Sequence, residues 1–413
     1  MRVLSFVLLS IGLCQIAAAE PTCTSAKRAQ PVSEATGTRP LKVVLYPFIP
    51  GFGAFKAEVK SRFEQAHPDI QLEIIDLTDN YYGPFVKKYI GCAEADVYEL
   101  DSVFLYDFAV NKKTQELPSE AALPADALLK NAVAGSMVNG KSYGAPHWVC
   151  GNFLFFDSSD TKLRGVKTLR QLLDVFGSKP SDHGVAVDLM GKSTLGEFYL
   201  NAAYDRYGDL EQARKHIVLY DAAPKDDLVR VSRICVVEGC RKSDHHDTPF
   251  FAEEFAQRHA RALVGYSESL NGALAAGADA AKCPPSSACR ADSDFDVEEL
   301  SLDDNGAHTM SWVDSFTLDK NCKDQCAKDA AAFIQFMNSD DIFLLALLPA
   351  GRPPAYLLPA KTSLYSNANL LAKAHLYPKL KAIIENAAVP SALGLNEELR
   401  NVGRRIDSDL PQQ

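Results

Sequence analysis

Apolar and polar positions alternate in blocks that predict strands and helices in turn. LKVVLYPF (41–48) reads as a strand, and apolar residues recur every four positions over 55–63, the period of a helix face. Apolar and polar residues then alternate over 70–74, which predicts a second strand, and ADVYEL (95–100) predicts a third. Asp101 is placed to cap the helix that follows it. Strands that alternate with helices indicate an α/β fold with a parallel sheet.

The second half of the chain continues this alternation. FLFFD (153–157) predicts a strand, residues 253–270 a helix followed by a strand and a turn, and residues 308–319 a further strand. KDAAAFIQFMNS (328–339) has the spacing of a helix. The chain has 413 residues, which suggests two domains or one large two-lobed unit.

Polar and aromatic residues lie where predicted strands end. Tyr46 and Phe48 lie at the carboxyl end of the first strand, and Asp101 follows the third. In open α/β sheets, ligands bind in the crevice outside the carboxyl ends of the strands. We therefore expect these three side chains to face one ligand crevice.

The beginning of the chain has the pattern of a secretory signal peptide. A basic residue and an apolar run precede Ala17 to Ala19, small residues that offer a cleavage site before Glu20. We predict a signal peptide over 1–19, an N-terminal tail over 20–39, and a mature protein that is secreted or periplasmic.

The net charge and the longest apolar run restrict the class of partner. A formal charge of −10 argues against nucleic acid and is compatible with a cationic ligand. Residues 341–351 form the richest apolar run, which is too short to cross a bilayer. We expect a monomer whose partners are small molecules, with no nucleic-acid or membrane partner.

The cysteines are odd in number once the signal peptide is removed. Ten cysteines minus Cys14 leave nine. Three pairs close in sequence are expected to bridge in an oxidising compartment: Cys235 with Cys240, Cys283 with Cys289, and Cys322 with Cys326. Cys23 and Cys92 are candidates for a fourth bridge. Cys150 is then left over, either as an inert buried residue or as a reactive thiol.

Five segments between residues 41 and 366 carry a family resemblance. They are LKVVLYPFIP, DVYELDSVFL, YGAPHWVCGNFLFF, VGYSESL and PAYLLPAKTSLY. Together they resemble thiaminase I (thiamine pyridinylase), a family built on the scaffold of bilobed extracytoplasmic solute-binding proteins. Cys150 and Glu268 stand where that family has its catalytic cysteine and glutamate. Phe48 departs from the family pattern, in which a tyrosine is expected, and so does the inserted region around Cys283 and Cys289.

The resemblance implies a two-lobed fold of the type 2 periplasmic-binding-protein class, with thiamine in the cleft between the lobes. We expect one lobe over 40–149 and 265–315, and the other over 150–264 and 316–413. The implied enzyme is a transferase that moves the pyrimidine-methyl group of thiamine from the thiazole to an amine, pyridine or thiol.

The implied chemistry rests on a covalent cysteine adduct. Cys150 would be the nucleophile, and Glu268 would take the proton of the thiol and then that of the acceptor. No metal or organic cofactor is implied. Such a base works best with a raised pKa, which burial against Tyr266 would provide.

Carboxylates suit the positive thiazolium and the aminopyrimidine of thiamine, and aromatic rings can stack on the pyrimidine. The candidate substrate-binding residues are Tyr46, Tyr81, Tyr82, Asp96, Asp101, Tyr266 and Asp314. Plainer alternatives exist for each of them. Asp101 would serve as a helix cap, Asp314 as a solvated strand end, and each tyrosine as part of the core.

His147 is three residues before Cys150, and on a regular strand these two side chains would point to opposite faces. Direct pairing of the two is therefore not expected. SDHHDTP (243–249) has the residue types of a metal site but the composition of a surface loop.

The rival function is a non-catalytic solute-binding protein for thiamine or another cationic heteroaromatic ligand.

Overall fold

The computed structural model describes residues 37–77, 81–82, 90–177, 184–190, 192–236, 240, 249–284, 289–306 and 309–410. The predicted signal peptide and nearly all of the predicted tail lie outside these residues. So do Cys23 and the histidines of SDHHDTP.

The strands of the described residues fall into two main sheets and one short hairpin. They are β1 (Arg39–Val44), β2 (Ile70–Ile75), β3 (Val97–Asp101), β4 (Met137–Val138), β5 (Lys141–Ser142), β6 (Ala145–Cys150), β7 (Asn152–Asp157), β8 (Val185–Val187), β9 (Ala262–Tyr266), β10 (Phe295–Glu298), β11 (Trp312–Leu318) and β12 (Leu358–Pro359).

Helices cover the faces of both sheets. They are α1 (Phe52–Ala66), α2 (Ser102–Val110), α3 (Lys130–Gly135), α4 (Leu169–Phe176), α5 (Lys192–Tyr207), α6 (Leu210–Leu219), α7 (Ala222–Arg233), α8 (Phe250–Ala256), α9 (Ser269–Ala278), α10 (Gln325–Met337), α11 (Asp340–Leu347), α12 (Ala368–Leu371), α13 (Tyr377–Ile384) and α14 (Leu395–Asp409). Short 3₁₀ helices span Ser119–Ala121, Ala125–Ala127, Asp292–Asp294 and Thr362–Ser366.

The larger sheet has the strand order β12-β6-β11-β3-β1-β2. Strands β1, β2 and β3 are parallel, as the sequence predicts, whereas β11 runs antiparallel to both β3 and β6. The parallel arrangement predicted from the first three strands is therefore confirmed, and β11 makes the larger sheet mixed. The physical reason is that β11 enters the sheet from the other lobe, at the edge where β3 and β6 end.

The predicted helix face of α1 is confirmed. Phe55, Val59 and Phe63 are all buried, and the Phe63 ring meets Phe333 of α10 edge-on at a centroid distance of 5.3 Å. Phe336 contacts the same ring at 5.3 Å. Apolar residues at helical spacing thus join the first helix to one that lies 270 residues later in the chain.

The smaller sheet has the order β10-β7-β9-β8, and one residue separates it from the larger sheet. Cys150 ends β6 in the larger sheet and Asn152 begins β7 in the smaller one. A Cβ on the intervening Gly151 would lie 2.5 Å from Cδ1 of Ile384 and 3.2 Å from the carbonyl oxygen of Met310. Only glycine fits this crossing without displacing its neighbours, so Cys150 stands at the junction of the two lobes.

The structure differs from the predicted lobe boundaries in two places. The segment 265–315 is divided between the sheets, because β10 pairs with β7 of the smaller sheet while β11 lies in the larger one. Helix α10, expected in the second lobe, packs against α1 and β1 of the first. The sequence-based boundaries missed both returns of the chain because strand pairing and helix packing between distant segments determine them.

The disulfides agree with the cysteine spacing. Bridges join the three pairs that are close in sequence: Cys235 with Cys240, Cys283 with Cys289, and Cys322 with Cys326. Cys92 is also disulfide-bonded, and its predicted partner lies outside the described residues. Cys150 is the one free cysteine within the described part of the chain. These bridges fit an oxidising compartment.

No single helix among the described residues is long and apolar enough to cross a membrane. Helices α10 and α11 reach such a length and composition only when taken together, across a bend of 57°.

Candidate active site

Cys150 lies at the carboxyl end of β6, where its side chain is only 8% exposed. Its Sγ lies 3.7 Å from Oδ2 of Asp314, which is within reach of a hydrogen bond from the thiol to the carboxylate. Strand register explains the contact, because Trp312 of β11 pairs with Cys150 and Asp314 is two residues further along β11. The leftover cysteine is therefore buried beside an acid.

Burial raises the pKa of the Cys150 thiol well above its ordinary value. The negative charges of Asp314, Glu268 and Asp101 raise it further, in that order. Both effects disfavour the thiolate, which is the nucleophilic form. In the free protein Cys150 is thus a thiol, and its reaction as a nucleophile requires a base. A cationic substrate would promote this reaction because its charge offsets the nearby carboxylates that raise the thiol pKa.

The raised pKa predicts slow alkylation of Cys150 in the free protein. At pH 7 its reaction with iodoacetamide should be at least about tenfold slower than that of N-acetylcysteine, because a raised pKa leaves less thiolate. The rate should continue to rise through pH values at which the free thiol has reached its plateau. Mass spectrometry of the peptide that contains Cys150 measures this rate, and a plateau below pH 8 would contradict it.

Asp314 and Asp101 form a buried pair of acids beside the thiol. They are register partners on β11 and β3 and are 1% and 6% exposed. Burial raises the pKa of Asp101 to about 6 and that of Asp314 well above its usual range, the latter also through the charges of Asp101 and Glu99. Asp314 is therefore not a solvated strand end. Its proximity to a second acid makes it an unusually strong base for a carboxylate.

Asp101 combines the predicted cap with a place in the site. One of its oxygens accepts hydrogen bonds from the backbone N–H of Val103 (2.9 Å) and the hydroxyl of Ser102 (3.3 Å) at the start of α2. The other accepts the hydroxyl of Tyr82 at 2.9 Å. The helix-cap alternative is thus correct, and the same carboxylate also anchors one of the predicted ligand-binding tyrosines.

Three predicted tyrosines and Phe48 form one aromatic cluster at this edge of the sheet. Tyr46 contacts Phe48 and Tyr81 edge-on at centroid distances of 5.3 and 5.8 Å, and Phe48 stacks on Tyr82 at 5.9 Å. Burial raises the pKa of the Tyr46 hydroxyl, and the charges of Cys150 and Glu268 raise it further. The aromatic cluster therefore lies close to the Cys150 thiol. Within it, the side chains of Tyr46 and Tyr81 are buried.

Glu268 faces a cavity that lies beside the aromatic cluster. It precedes α9 and is half-buried. The cavity measures about 460 Å³, and Phe48, Asn152, Tyr266 and Glu268 are among the residues that line it. Its walls are mostly apolar, and Asp188 adds a second acid. A flat ring with a positive charge suits such a surface.

Tyr266 connects this cavity to α5. Its hydroxyl donates a hydrogen bond to Glu197 of that helix. Burial raises the pKa of Tyr266 first, and the charges of Glu197, Cys150 and Glu268 add to it. Glu197 was not foreseen from sequence, because a single acid in a helix carries no signal of its neighbours in space.

Asp96 does not join the site. It precedes β3, whereas Asp101 ends that strand, so the two acids are separated by the strand's length of about 16 Å. The Asp96 carboxylate accepts the backbone N–H of Lys42 at 2.8 Å. It holds β1 beside β3 and lies at the edge opposite Cys150, which leaves the substrate-binding expectation for Asp96 without support.

His147 and Glu99 form a further pair that the sequence argument did not identify. Nδ1 of His147 lies 2.5 Å from Oε1 of Glu99, and both side chains are fully buried. The signal was present in the strand VYELD, where alternation places Val97, Glu99 and Asp101 on one face. An acid on that apolar face should have been expected to have a partner.

The described residues contain one acid–cysteine cluster with the spacing of a metal site, formed by Asp96, Cys322 and Cys326. Its two cysteines are joined in a disulfide, which leaves no thiolate ligand. This cluster is therefore unsuited to a metal.

A family model described as the Thiaminase-1 domain matches residues 151–282. The matched segment begins directly after Cys150 and includes Glu268. The chain is also 27% identical over 399 residues to Thiaminase-1 of Paenibacillus thiaminolyticus, covering 92% of this chain and 89% of that protein. The resemblance expected from sequence is thereby confirmed.

Solved structures support the fold class. Thiaminase I of Clostridium botulinum in complex with thiamin superposes with a TM-score of 0.72 and 20% identity, covering 89% of this chain and 99% of that one. Maltose-bound MalE3 of T. maritima superposes with a TM-score of 0.66 and 16% identity, covering 90% and 94%. The two-lobed periplasmic-binding-protein-like fold is confirmed.

Proposed function

We propose that this chain, which carries the Thiaminase-1 domain, is a thiamine-degrading transferase. It moves the pyrimidine-methyl group of thiamine from the thiazole to an amine, pyridine or thiol. The observation that carries the proposal is the free Cys150 at the lobe junction, in contact with Asp314 and beside an acidic, aromatic cavity. A protein that only bound its ligand would need the cavity but not a buried thiol paired with a base.

The first half-reaction forms the covalent adduct. The thiol proton passes to the Asp314 carboxylate that it already contacts, and the sulfur adds to the pyrimidine carbon next to the ring nitrogen. The bond between the methylene and the thiazolium nitrogen then breaks, and its electron pair leaves with the thiazole as a neutral ring. The cationic substrate offsets the carboxylate charges that raise the thiol pKa.

The second half-reaction returns the enzyme to its resting state. The acceptor attacks the exocyclic methylene, and Glu268, which faces the cavity, takes the proton that an amine or thiol acceptor loses. Pyridine carries no such proton and leaves as a pyridinium product. The electron pair that this attack pushes into the ring restores the aromatic pyrimidine as the carbon–sulfur bond breaks. The bonding pair leaves with the sulfur as a thiolate, which recovers its proton from Asp314. In this mechanism Asp314 is the base that takes the thiol proton, and Glu268 is the base that takes the acceptor proton.

The aromatic and acidic walls suit the two rings of thiamine. Phe48 and Tyr82 provide flat faces near Asp101 and Asp314, as required for the aminopyrimidine. The cavity beside Glu268 would receive the thiazolium first and the acceptor afterwards. Phe48, where the family has a tyrosine, contributes a ring without a hydroxyl, so stacking rather than hydrogen bonding would be its role.

The setting of the reaction follows from the same features. We propose a monomeric protein that is secreted or periplasmic and acts on small molecules, with no nucleic-acid or membrane partner. The disulfides and the charge of −10 support this placement.

Product analysis tests the proposed function. Incubation with thiamine and pyridine should release free thiazole and form the pyrimidine-methyl pyridinium product in equal amounts, as measured by mass spectrometry. Because each turnover passes through one adduct, the kinetics should be ping-pong. Bound but unaltered thiamine at high protein concentration would indicate a solute-binding protein instead.

A further inference from the structure

A fully buried acid–imidazole pair lies behind the residues that surround Cys150. Nδ1 of His147 is 2.5 Å from Oε1 of Glu99, whereas Nε2 of His147 has no hydrogen-bond partner within the described residues. The rings of Trp148, Phe316 and Phe343 enclose the imidazole at centroid distances of 4.3 to 4.8 Å. A buried imidazolium would need partners for both N–H groups, so the arrangement fits a neutral ring that donates from Nδ1 to an ionised Glu99.

A β-bulge brings the imidazole to this position. Register places Trp148 opposite Asp314 but Pro146 opposite Ser315, so His147 is the extra residue on β6. Bulges redirect side chains and break strict alternation. The expectation that His147 and Cys150 face opposite sides of a regular strand therefore fails, and His147 points to the same buried layer as Glu99.

Glu99 in turn holds two aromatic residues of the site. Its second carboxylate oxygen, Oε2, accepts the backbone N–H of Tyr46 at 2.7 Å. Its backbone carbonyl accepts the hydroxyl of Tyr81 at 2.9 Å, and that hydroxyl also lies 3.2 Å from Oδ1 of Asp314. Glu99 thus positions both Tyr46 and Tyr81, the first through its carboxylate and the second through its backbone carbonyl.

The charge of Glu99 also acts on Asp314. Burial is the main reason that the pKa of Asp314 is raised, and the negative charges of Asp101 and then Glu99 add to it. The hydroxyl of Tyr81 and the thiol of Cys150 oppose this effect by hydrogen bonding to the Asp314 carboxylate. The titratable groups that act on Asp314 are therefore Asp101 and Glu99 on β3, Cys150 on β6, and the hydroxyl of Tyr81.

We propose that Glu99 and His147 are positioning residues for the transfer reaction, an inference that rests on the proposed function. His147 holds the Glu99 carboxylate, which accepts the backbone N–H of Tyr46 and makes Asp314 a stronger base toward the Cys150 thiol. The backbone carbonyl of Glu99 holds Tyr81 in the same wall. Neither residue touches the substrate itself.

The variant Glu99→Gln separates charge from geometry. The amide oxygen can still accept the Tyr46 N–H, and the amide N–H can donate to Nδ1 of His147 once that ring takes its other neutral tautomer. The hydrogen bonds remain and only the negative charge is lost. Glu99→Ala removes the negative charge and the hydrogen bonds of the carboxylate. The matched control is Glu73→Gln, at an exposed position of the same sheet.

A substrate-free measurement follows the ionisation of Asp314. The protein has two tryptophans, and both pair across strands at the site, Trp148 with Asp314 and Trp312 with Cys150. The emission of these tryptophans, measured as a function of pH, should change as Asp314 ionises. A transition that is absent from Asp314→Asn is the one that reports the ionisation of Asp314. In Glu99→Gln its midpoint should move about one pH unit lower, while Glu73→Gln leaves it unmoved.

Turnover supplies the second readout. In Glu99→Gln the acid limb of kcat/KM should move to lower pH in parallel with the fluorescence midpoint. Glu99→Ala should lower kcat about 100-fold because the backbone N–H of Tyr46 and Nδ1 of His147 lose the carboxylate that positions them. An unmoved midpoint in Glu99→Gln, or full kcat in Glu99→Ala, would overturn the inference. Absence of thiazole release by the unmodified protein would instead refute the proposed function, and the fluorescence shift would still test the role of Glu99.

Discussion

The Cys150→Ser variant should lose at least about 10⁴-fold in thiamine turnover while it keeps its affinity for thiamine. Serine matches cysteine in shape, but its hydroxyl is a far weaker acid, so the carboxylates around it cannot produce a nucleophile. Cys150 is nearly buried among Asp314, Asp101 and Glu268, whose charges already oppose ionisation even of a thiol. Release of thiazole with pyridine as acceptor measures turnover.

Binding is measured separately from turnover by tryptophan emission, since Trp312 pairs with Cys150. An unchanged melting temperature shows that the variant is folded, and Cys150→Ala provides a second inactive form without a hydroxyl. Activity of Cys150→Ser within tenfold of the original protein would remove the proposed nucleophile.

Replacement of Glu268 by glutamine should separate the two half-reactions. Because the thiol contacts Asp314 and Glu268 faces the cavity, the first release of thiazole should remain within about tenfold of its original rate. With aniline as the acceptor, whose N–H proton must be removed, steady-state turnover should fall about 1000-fold, since removal of a general base typically costs 10² to 10⁴ in rate. Rapid-quench measurement should show a burst of one thiazole per protein followed by a slow phase.

Glu211→Gln serves as the control for this variant, since Glu211 is exposed on α6 in the lobe of the smaller sheet. It should show neither a burst nor a loss of rate. If Glu268→Gln lost the burst as well, Glu268 would act on the thiol too, as the family resemblance implies, and Asp314 would be left with a binding role.

Local sequence patterns were sufficient where neighbouring residues determine structure. The apolar spacing of Phe55, Val59 and Phe63 gave a buried helix face, and cysteine spacing gave three bridges and an unpaired Cys150. The strand-end rule placed Tyr46, Phe48 and Asp101 at one edge of the sheet, and contacts through Tyr82 connect them there. These successes rest on periodicity and short loops, which a single sequence reveals directly.

Features that depend on distant segments were missed. Asp96 and Asp101 look alike in sequence, but β3 places them at opposite edges of the sheet. The bulge at His147 depends on how β11 pairs with β6, across more than 160 residues, and no local motif announces it. The return of β10 to the smaller sheet and the contact between Tyr266 and Glu197 are tertiary results of the same kind.

Intact-protein mass spectrometry tests the central claim most directly. The protein and its Glu268→Gln variant are incubated with thiamine in the absence of added acceptor, and the mass and the modified peptide are determined. We predict a mass increase of one pyrimidine-methyl group located on Cys150, with the larger fraction modified in Glu268→Gln because the second half-reaction is slowed. Thiamine that is consumed while both proteins keep their original mass, or a modification on any other residue, would contradict the assignment of Cys150 as the nucleophile.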